Sequence, residues 1–366
     1  MTYAVAILNY NGSILLRKFI SKVVKNCSDA VIYLIDNNST DSSVEFINKN
    51  YPDIIIIKLD NNYGYAKGYN EAVKYIDEDV IIFLNNDAVF LDSDSFSTIK
   101  KTFESNEMIS IAQPRILDYN NQDKYEYAGA SGGYLDFLGY PFCRGRILGN
   151  IEKSDKYNTT REIFWASGSC FIIRKSIFKL LNGFDEDFFC HMEEIDLCWR
   201  LKNLDSSYKI ITIGKANVYH VGGGTMQYGE NRKNYLNFRN SLVMLIKNLP
   251  KKYFIFCNKI IWNHCFLKKI DNFINSDRSN INTFLTDFPE IFGFSEIDLA
   301  NENSKLKNVL DEFNPDFIIH FAGLKSVDES EEKPDLYLDN NVGSTENSEF
   351  AILATIVANS IGLLSI

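Results

Sequence analysis

Through the first ninety residues, short apolar runs alternate with stretches of helical spacing. Tyr3 to Asn9 (Y-A-V-A-I-L-N) is apolar almost throughout, as expected of a strand buried on both faces. Ser13 to Cys27 has apolar positions three and four apart, which predicts an amphipathic helix. Val31 to Asp36 and Ile54 to Leu59 read as further buried strands. Between them, Ser42 and Glu45 have the spacing of a capping box that opens a helix. The polar stretch N-N-Y-G-Y-A-K-G-Y-N (61–70) leads into a helix reaching about Tyr75, and Val80 to Asp87 is a fourth apolar run with a polar end. This alternation predicts an α/β fold with a doubly wound, mostly parallel sheet. In such sheets ligands bind beyond the carboxyl ends of the strands. Asp36, the 61–70 loop and Asn85 to Asp87 all fall on that edge. Each also has a plain structural reading, as a helix cap, a turn and an Asx turn.

The pattern changes at Gly183 to Arg200, G-F-D-E-D-F-F-C-H-M-E-E-I-D-L-C-W-R. With a helix starting near Met192, Met192, Ile195 and Trp199 share one face, and Glu193, Asp196 and Arg200 share another, where ion pairing is expected. Glu194 falls between the positions of Cys198 and Leu201, in an apolar arc. Desolvation there raises a carboxylate's pKa and suits it to general-base work. The alternative is an acidic first turn that complements the helix dipole.

Upstream, Phe164 to Cys170 precedes an apolar strand at Phe171 to Ile173, and Trp165 there reads as a buried core residue. Downstream, a strand ends at His220, which reads as a structural histidine. Glu230 to Leu249 reads as a helix, and lysines then flank Tyr253, Phe254, Phe256, Trp262 and Phe266. That composition fits a helix lying on an anionic membrane surface, or one packed on the domain with a solvated basic side.

The net charge of −10 over 366 residues argues against a nucleic-acid partner, but it is unevenly spread. Residues 230–271 hold nine Lys/Arg against two acids, whereas residues 287–349 hold four against sixteen. Seven cysteines, an odd number with no C-x-x-C pair, indicate a reducing cytoplasm and neither zinc nor a disulfide framework. The N-terminus lacks the plan of a signal peptide, and no uncharged run reaches the length of a spanning helix.

Taken together and in order, A-I-L-N-Y-N-G, L-I-D-N-N-S-T-D, the 61–70 loop, L-N-N-D and the 183–200 segment resemble the family 2 nucleotide-sugar glycosyltransferases, in particular their rhamnosyltransferase-like branch. The resemblance spans about residues 3–240 and implies a GT-A-type fold. It implies that Asp36 contacts the nucleotide base and that Asn62, Gly64, Lys67, Gly68, Asn70 and Asn85 bind the donor. Asp87 and His220 would hold Mg²⁺ or Mn²⁺, Glu194 would be the catalytic base, and Trp165, Glu193 and Asp196 would face the acceptor. Where the family usually has Glu-Asp this chain has Glu193-Glu194, and Asn85 replaces the first acid of D-x-D. The implied reaction is transfer, with inversion, of a sugar such as rhamnose from a nucleoside diphosphate to a saccharide or lipid-linked acceptor. Its implied setting is cell-surface polysaccharide synthesis on the cytoplasmic side of the membrane. An inactive nucleotide-sugar-binding protein is the rival reading.

Residues 288–345, including F-A-G-L-K (321–325), resemble an internal piece of a UDP-glucose 4-epimerase. No G-x-x-G-x-x-G unit precedes them and residues 346–366 contain neither Tyr nor Lys, which speaks against NAD-dependent epimerase activity. The expected organisation is therefore a GT-A domain (1–229), a basic aromatic helical segment (230–270), a linker (271–287), a partial Rossmann-like fragment (288–345) and an apolar tail (346–366).

Overall fold

The computed structural model describes residues 1–249, except 127, 128, 137, 138, 148, 149 and 223–230. The basic stretch beyond residue 249, the linker, the epimerase-like fragment and the apolar tail lie outside the described residues.

The first half alternates as its pattern predicts: β1 (Tyr3–Asn9), α1 (Ser13–Asn26), β2 (Val31–Asp36), α2 (Ser43–Asn50), β3 (Ile55–Lys58), α3 (Gly64–Val73), β4 (Val80–Asn85), β5 (Ala88–Val89), α4 (Ser93–Ser105) and β6 (Ile109–Asp118). Four short strands follow: β7 (Gly133–Leu135), β8 (Pro141–Cys143), β9 (Arg146–Ile147) and β10 (Asn150–Ile151). The chain then runs through β11 (Arg161–Glu162), β12 (Cys170–Arg174), α5 (Lys175–Leu180), a 3₁₀ turn at Glu186–Phe188, α6 (Glu193–Leu204), β13 (Lys209–His220) and α7 (Asn231–Asn248).

The main sheet has the order β11-β13-β6-β12-β4-β1-β2-β3, with β5 beside β13, and the small strands form a second sheet, β10-β9-β8-β7. β4, β1, β2 and β3 are mutually parallel, while β12 runs antiparallel between β4 and β6. The register sets Asn9 beside Asp36 and Leu8 beside Asn85, so the polar strand ends line up along one edge.

Side chains alternate across this sheet and explain its two cover layers. Val5 and Ile7 of β1 share a core with Leu16, Phe19, Ile20 and Val23 of α1 and with Phe96, Ile99 and Phe103 of α4. On the other face the small residues Ala4 and Ala6 leave room for Tyr69 of α3, whose hydroxyl donates to the Ala6 carbonyl. Tyr69 meets Phe83, and Phe83 meets Phe171, Phe178 and Phe184, a wholly buried aromatic layer.

Two expectations need correction here. Ser42 is the first-turn cap of α2 but makes no side-chain cap bond. Asp41 does that work, accepting from the Ser43 amide and the Ser13 amide at 2.9 Å each, so one carboxylate serves the starts of α2 and α1. The compact unit also runs from Met1 to Leu249, past the expected boundary at 229, so that α7 belongs to it. Lys247 of α7 pairs with Asp185 and Asp187, and Arg239 donates to the Asp187 carbonyl, so these two cations are spent within the domain. Among the described residues, no helix is long and apolar enough to cross a membrane.

Candidate active site

The donor edge is built largely from asparagine. Asn9, 1 % exposed at the end of β1, accepts from the Asn86 amide at 3.1 Å and donates to Ser39. Asp36 closes β2 and accepts from the Ser39 amide at 3.3 Å. Asn37, equally enclosed, donates to Asn62 Oδ1 at 2.9 Å and to the Gly64 carbonyl at 3.1 Å, and accepts from the Tyr63 amide. It thereby shapes the 61–64 loop, a role the sequence pattern did not reveal. Gly64 has φ +73°, and a Cβ there would lie 2.6 Å from the Phe189 ring, so both conformation and space require glycine. Asn62 is exposed at the rim, and the Lys67 ammonium stands there between Glu186 (3.5 Å) and the Tyr63 ring (4.8 Å).

Asp87 and His220, far apart in sequence, come together: His220 Nε2 lies 3.0 Å from Asp87 Oδ1. On the other side of the ring, Nδ1 lies 3.2 Å from Glu126 Oε2, and all three side chains are buried. Burial opposes charge on His220, but the two carboxylates outweigh it and push its pKa up to about 10. The Asn85 amide lies 3.5 Å from Nε2. Glu126, on a loop after β6, carries no motif and was missed. Among the described residues, no cluster of three or more acidic, His or Cys side chains forms a ready-made metal cage. One carboxylate and one imidazole nevertheless suit Mg²⁺ or Mn²⁺, which take few protein ligands and complete their shell with phosphate and water.

The third part is the start of α6, where the predicted start near Met192 holds. Phe189, His191 and Met192 all have positive φ (60°, 73° and 73°), although none is glycine. Such conformations cost about 1–3 kcal/mol each and persist only where the surroundings enforce them. Glu193 and Glu194 follow immediately. Glu194 is half-buried, with Oε2 sealed from solvent and without a hydrogen-bond partner. Burial drives its pKa up to about 7, against the pull of backbone N–H groups of Glu194 itself, Gly168, Ile195 and Met192. Glu193 is 3 % exposed, its Oε2 also without a partner, and burial and then the neighbouring Glu194 charge raise its pKa well above the ordinary carboxylate range.

Four expected ligand contacts are placed differently. Asp196 is fully buried and engaged at both oxygens, by Arg200 Nε and by the Asn248 amide at 2.7 Å each. Arg200 also donates to the Leu181 and Gly183 carbonyls, so the ion pairing expected on this face is made by Asp196 and Arg200, and Glu193 is sealed rather than paired. Trp165 is 5 % exposed, its ring lies against Gly133 and its N–H is donated to the Tyr134 carbonyl; it is a core residue. Asn70 spends its amide on the backbone of Phe184, donating at 2.8 Å and accepting at 2.9 Å. Gly68 lets α3 approach Leu8, which would stand 3.1 Å from an added Cβ.

The donor edge and the α6 start meet at one atom. The carbonyl of Phe189 accepts from the Tyr65 amide at 2.7 Å and the Ala66 amide at 3.1 Å, capping α3 in place of a side chain. The Tyr65 hydroxyl adds a bond to the Gly168 carbonyl at 2.8 Å, beside Glu194.

Residues 4–181 match the family model described as glycosyl transferase family 2, and residues 259–355 match that of GDP-mannose 4,6 dehydratase. Rhamnosyltransferase WbbL of Escherichia coli (strain K12) is 27% identical over 193 residues, 47% of this chain and 72% of that protein. UDP-glucose 4-epimerase 2 of Oryza sativa subsp. japonica is 37% identical over 81 residues, 21% of this chain and 20% of the epimerase. Among solved structures, GalNAc-T7 with UDP, GalNAc and Mn²⁺ gives a TM-score of 0.54 at 15% identity. That alignment covers 79% of this chain and 54% of the other, and the likeness is one of fold.

Proposed function

We propose that this chain, whose residues 4–181 match the model described as glycosyl transferase family 2, moves a sugar, rhamnose first among candidates, from a nucleoside diphosphate to a hydroxyl of a saccharide or lipid-linked acceptor, with inversion. The observation that carries this reading is Glu194: a carboxylate with one sealed, unpartnered oxygen and a pKa of about 7, on a helix that abuts the donor loop. A base poised near the working pH takes a hydroxyl proton efficiently. As the acceptor oxygen bonds to the anomeric carbon, its proton passes to Glu194 and the C–O bond to the diphosphate breaks, leaving its electron pair on phosphate. Base and leaving group then act from opposite faces. Asn37 keeps the 61–64 loop in shape for the donor, with Asp36 and Asn62 facing the nucleotide. Asp87 and His220, with Asn85 beside them, would hold a divalent cation, and Glu126 would orient the imidazole. When bound, such a cation neutralises the charge that develops on the departing diphosphate.

The test is release of nucleoside diphosphate from dTDP-rhamnose, UDP-GlcNAc and GDP-mannose with Mn²⁺ and a saccharide acceptor. Glu194→Gln should cut turnover by roughly 10²–10⁴, as expected for a lost general base, with donor affinity nearly unchanged. Full turnover in that variant refutes the base assignment.

A further inference from the structure

The strained turn before Glu194 does not hold itself. Met192, the residue that begins α6, makes no side-chain cap bond. The partner comes from α7. Asn240, with no solvent exposure, donates its amide to the carbonyls of Phe188 (2.8 Å), Cys190 (2.8 Å) and His191 (2.7 Å). Its own oxygen accepts from the Arg239 guanidinium at 2.9 Å. Three carbonyls converge on one NH₂ group, which fixes the amide's orientation, because an oxygen facing them would be repelled. Two hydrogens serve three acceptors, so the turn is gathered around a single nitrogen. The carbonyls it gathers alternate with the positive-φ residues: Phe189 lies between Phe188 and Cys190, His191 is itself one of them and Met192 comes next, and Glu193 and Glu194 follow on the next two positions.

We propose that Asn240 is a positioning residue for sugar transfer: it fixes the left-handed turn at Phe189 to Met192 and thereby aims the Glu194 carboxylate at the acceptor hydroxyl. The inference rests on the reading of Glu194 as the base. Asn240 touches no reacting group; it acts through backbone. Removing it frees the turn to relax into ordinary φ values and carries the carboxylate off its line. Small misplacements of a catalytic group cost on the order of 10²-fold in rate. The side-chain bonds of the donor edge come from Asn9, Asn37 and Asp41, while the Phe189 carbonyl links the turn to the 61–70 loop, so donor affinity should fall less than turnover.

The experiment compares the parent chain with Asn240→Leu, similar in shape but with no amide, and Asn240→Ala, which leaves room for a water. The expected result is a fall in kcat of about 10²-fold with KM for the donor within about twofold. Amide exchange at residues 188–193 should quicken while exchange in β1, β2 and β4 is unchanged. Adding Met192→Gly should restore at least about tenfold of the lost kcat, because glycine occupies the left-handed region without strain. The proposal is overturned by a folded Asn240→Leu variant with parental kcat, or by one whose donor KM rises while kcat holds. Unfolding of both variants also counts against it, since Asn240 would then serve the fold before the turn. Glu194→Gln separates the two readings. If Glu194→Gln is active, the base assignment falls; if it is dead while Asn240→Leu runs at full rate, only the positioning role falls.

Discussion

The donor edge and the start of α6 both place polar groups at the mouth of the sheet, but they are secured in different ways. At the donor edge the positive-φ positions are Asn11, Asn38 and Gly64, residue types that take this conformation at little cost. Asn9, Asn37 and Asn62 bond to neighbours near the ends of adjacent parallel strands, so the sheet register itself delivers the contacts. At α6 three non-glycine residues are left-handed, and their restraints come from a helix some fifty residues later in the chain. The first region takes its contacts from the sheet register, whereas the second is strained and depends on one residue of a helix packed against it. A site that must bind tolerates the first design; a carboxylate that must sit without solvent at a fixed angle needs the second.

Substitutions can break this contrast. The largest stability effect should come from Asp196→Ala, which leaves Arg200 and Asn248 without their carboxylate. Losing one partner of a buried pair typically costs about 3–5 kcal/mol, and urea unfolding should show it. A loss under about 1 kcal/mol would mean that α6 is held by packing alone. Asp87→Ala should act at the other region, with a smaller effect on folding. Donor affinity in Mn²⁺ should fall at least about tenfold, to the level the parent shows in chelator, as read by titration with dTDP-rhamnose. Chelator-insensitive binding in the parent protein would remove the metal role of Asp87 and His220.

The smallest effect at neutral pH should be that of Glu193→Gln. Burial, and then the neighbouring Glu194 charge, raise Glu193 well above its ordinary 4.5, which favours the neutral form that glutamine mimics. Turnover should stay within about threefold at pH 7, whereas an ionised, acceptor-orienting Glu193 would give a loss like that of Glu194→Gln. The sign of the pH dependence follows from the raised value. Above about pH 4.5 the unfolded chain loses this proton while the folded chain keeps it, so stability should decline as pH rises toward the folded pKa. Glu194 adds to the decline between 4.5 and about 7. Urea midpoints across pH 4–8 should show a shallower fall in Glu193→Gln than in the parent.

Much of this was readable from sequence where a single period governs the segment. The four parallel strands and their polar ends were legible because each apolar run is short and bounded by polar residues, although β3, at the sheet edge, is only partly buried, with Ile55 exposed. Glu194 was legible because its helical angle falls between Cys198 and Leu201. The same wheel misassigned Glu193: it shows that Glu193, Asp196 and Arg200 share a side, but not that this side is sealed by packing that includes α7. Trp165 was ambiguous for a related reason, since only the approach of Gly133 decides that its ring is covered. Glu126 and Asn240 left no trace in the pattern, as each works through a contact with a segment remote in sequence. The short strands β7 to β10, two or three residues each, are too brief to express any period.

The Phe189 carbonyl, which receives the Tyr65 and Ala66 amides in the first turn of α3, has a consequence for anyone altering donor choice. The donor loop and the base turn share that oxygen, so they are one mechanical part despite their separation along the chain. A loop transplanted from a relative with another sugar preference would bring its own helix start but not the matching carbonyl. On the proposed assignment, specificity at this site is not modular: residues 61–70 and 188–194 would have to be exchanged together for the turn before Glu194 to keep its bonds to the loop.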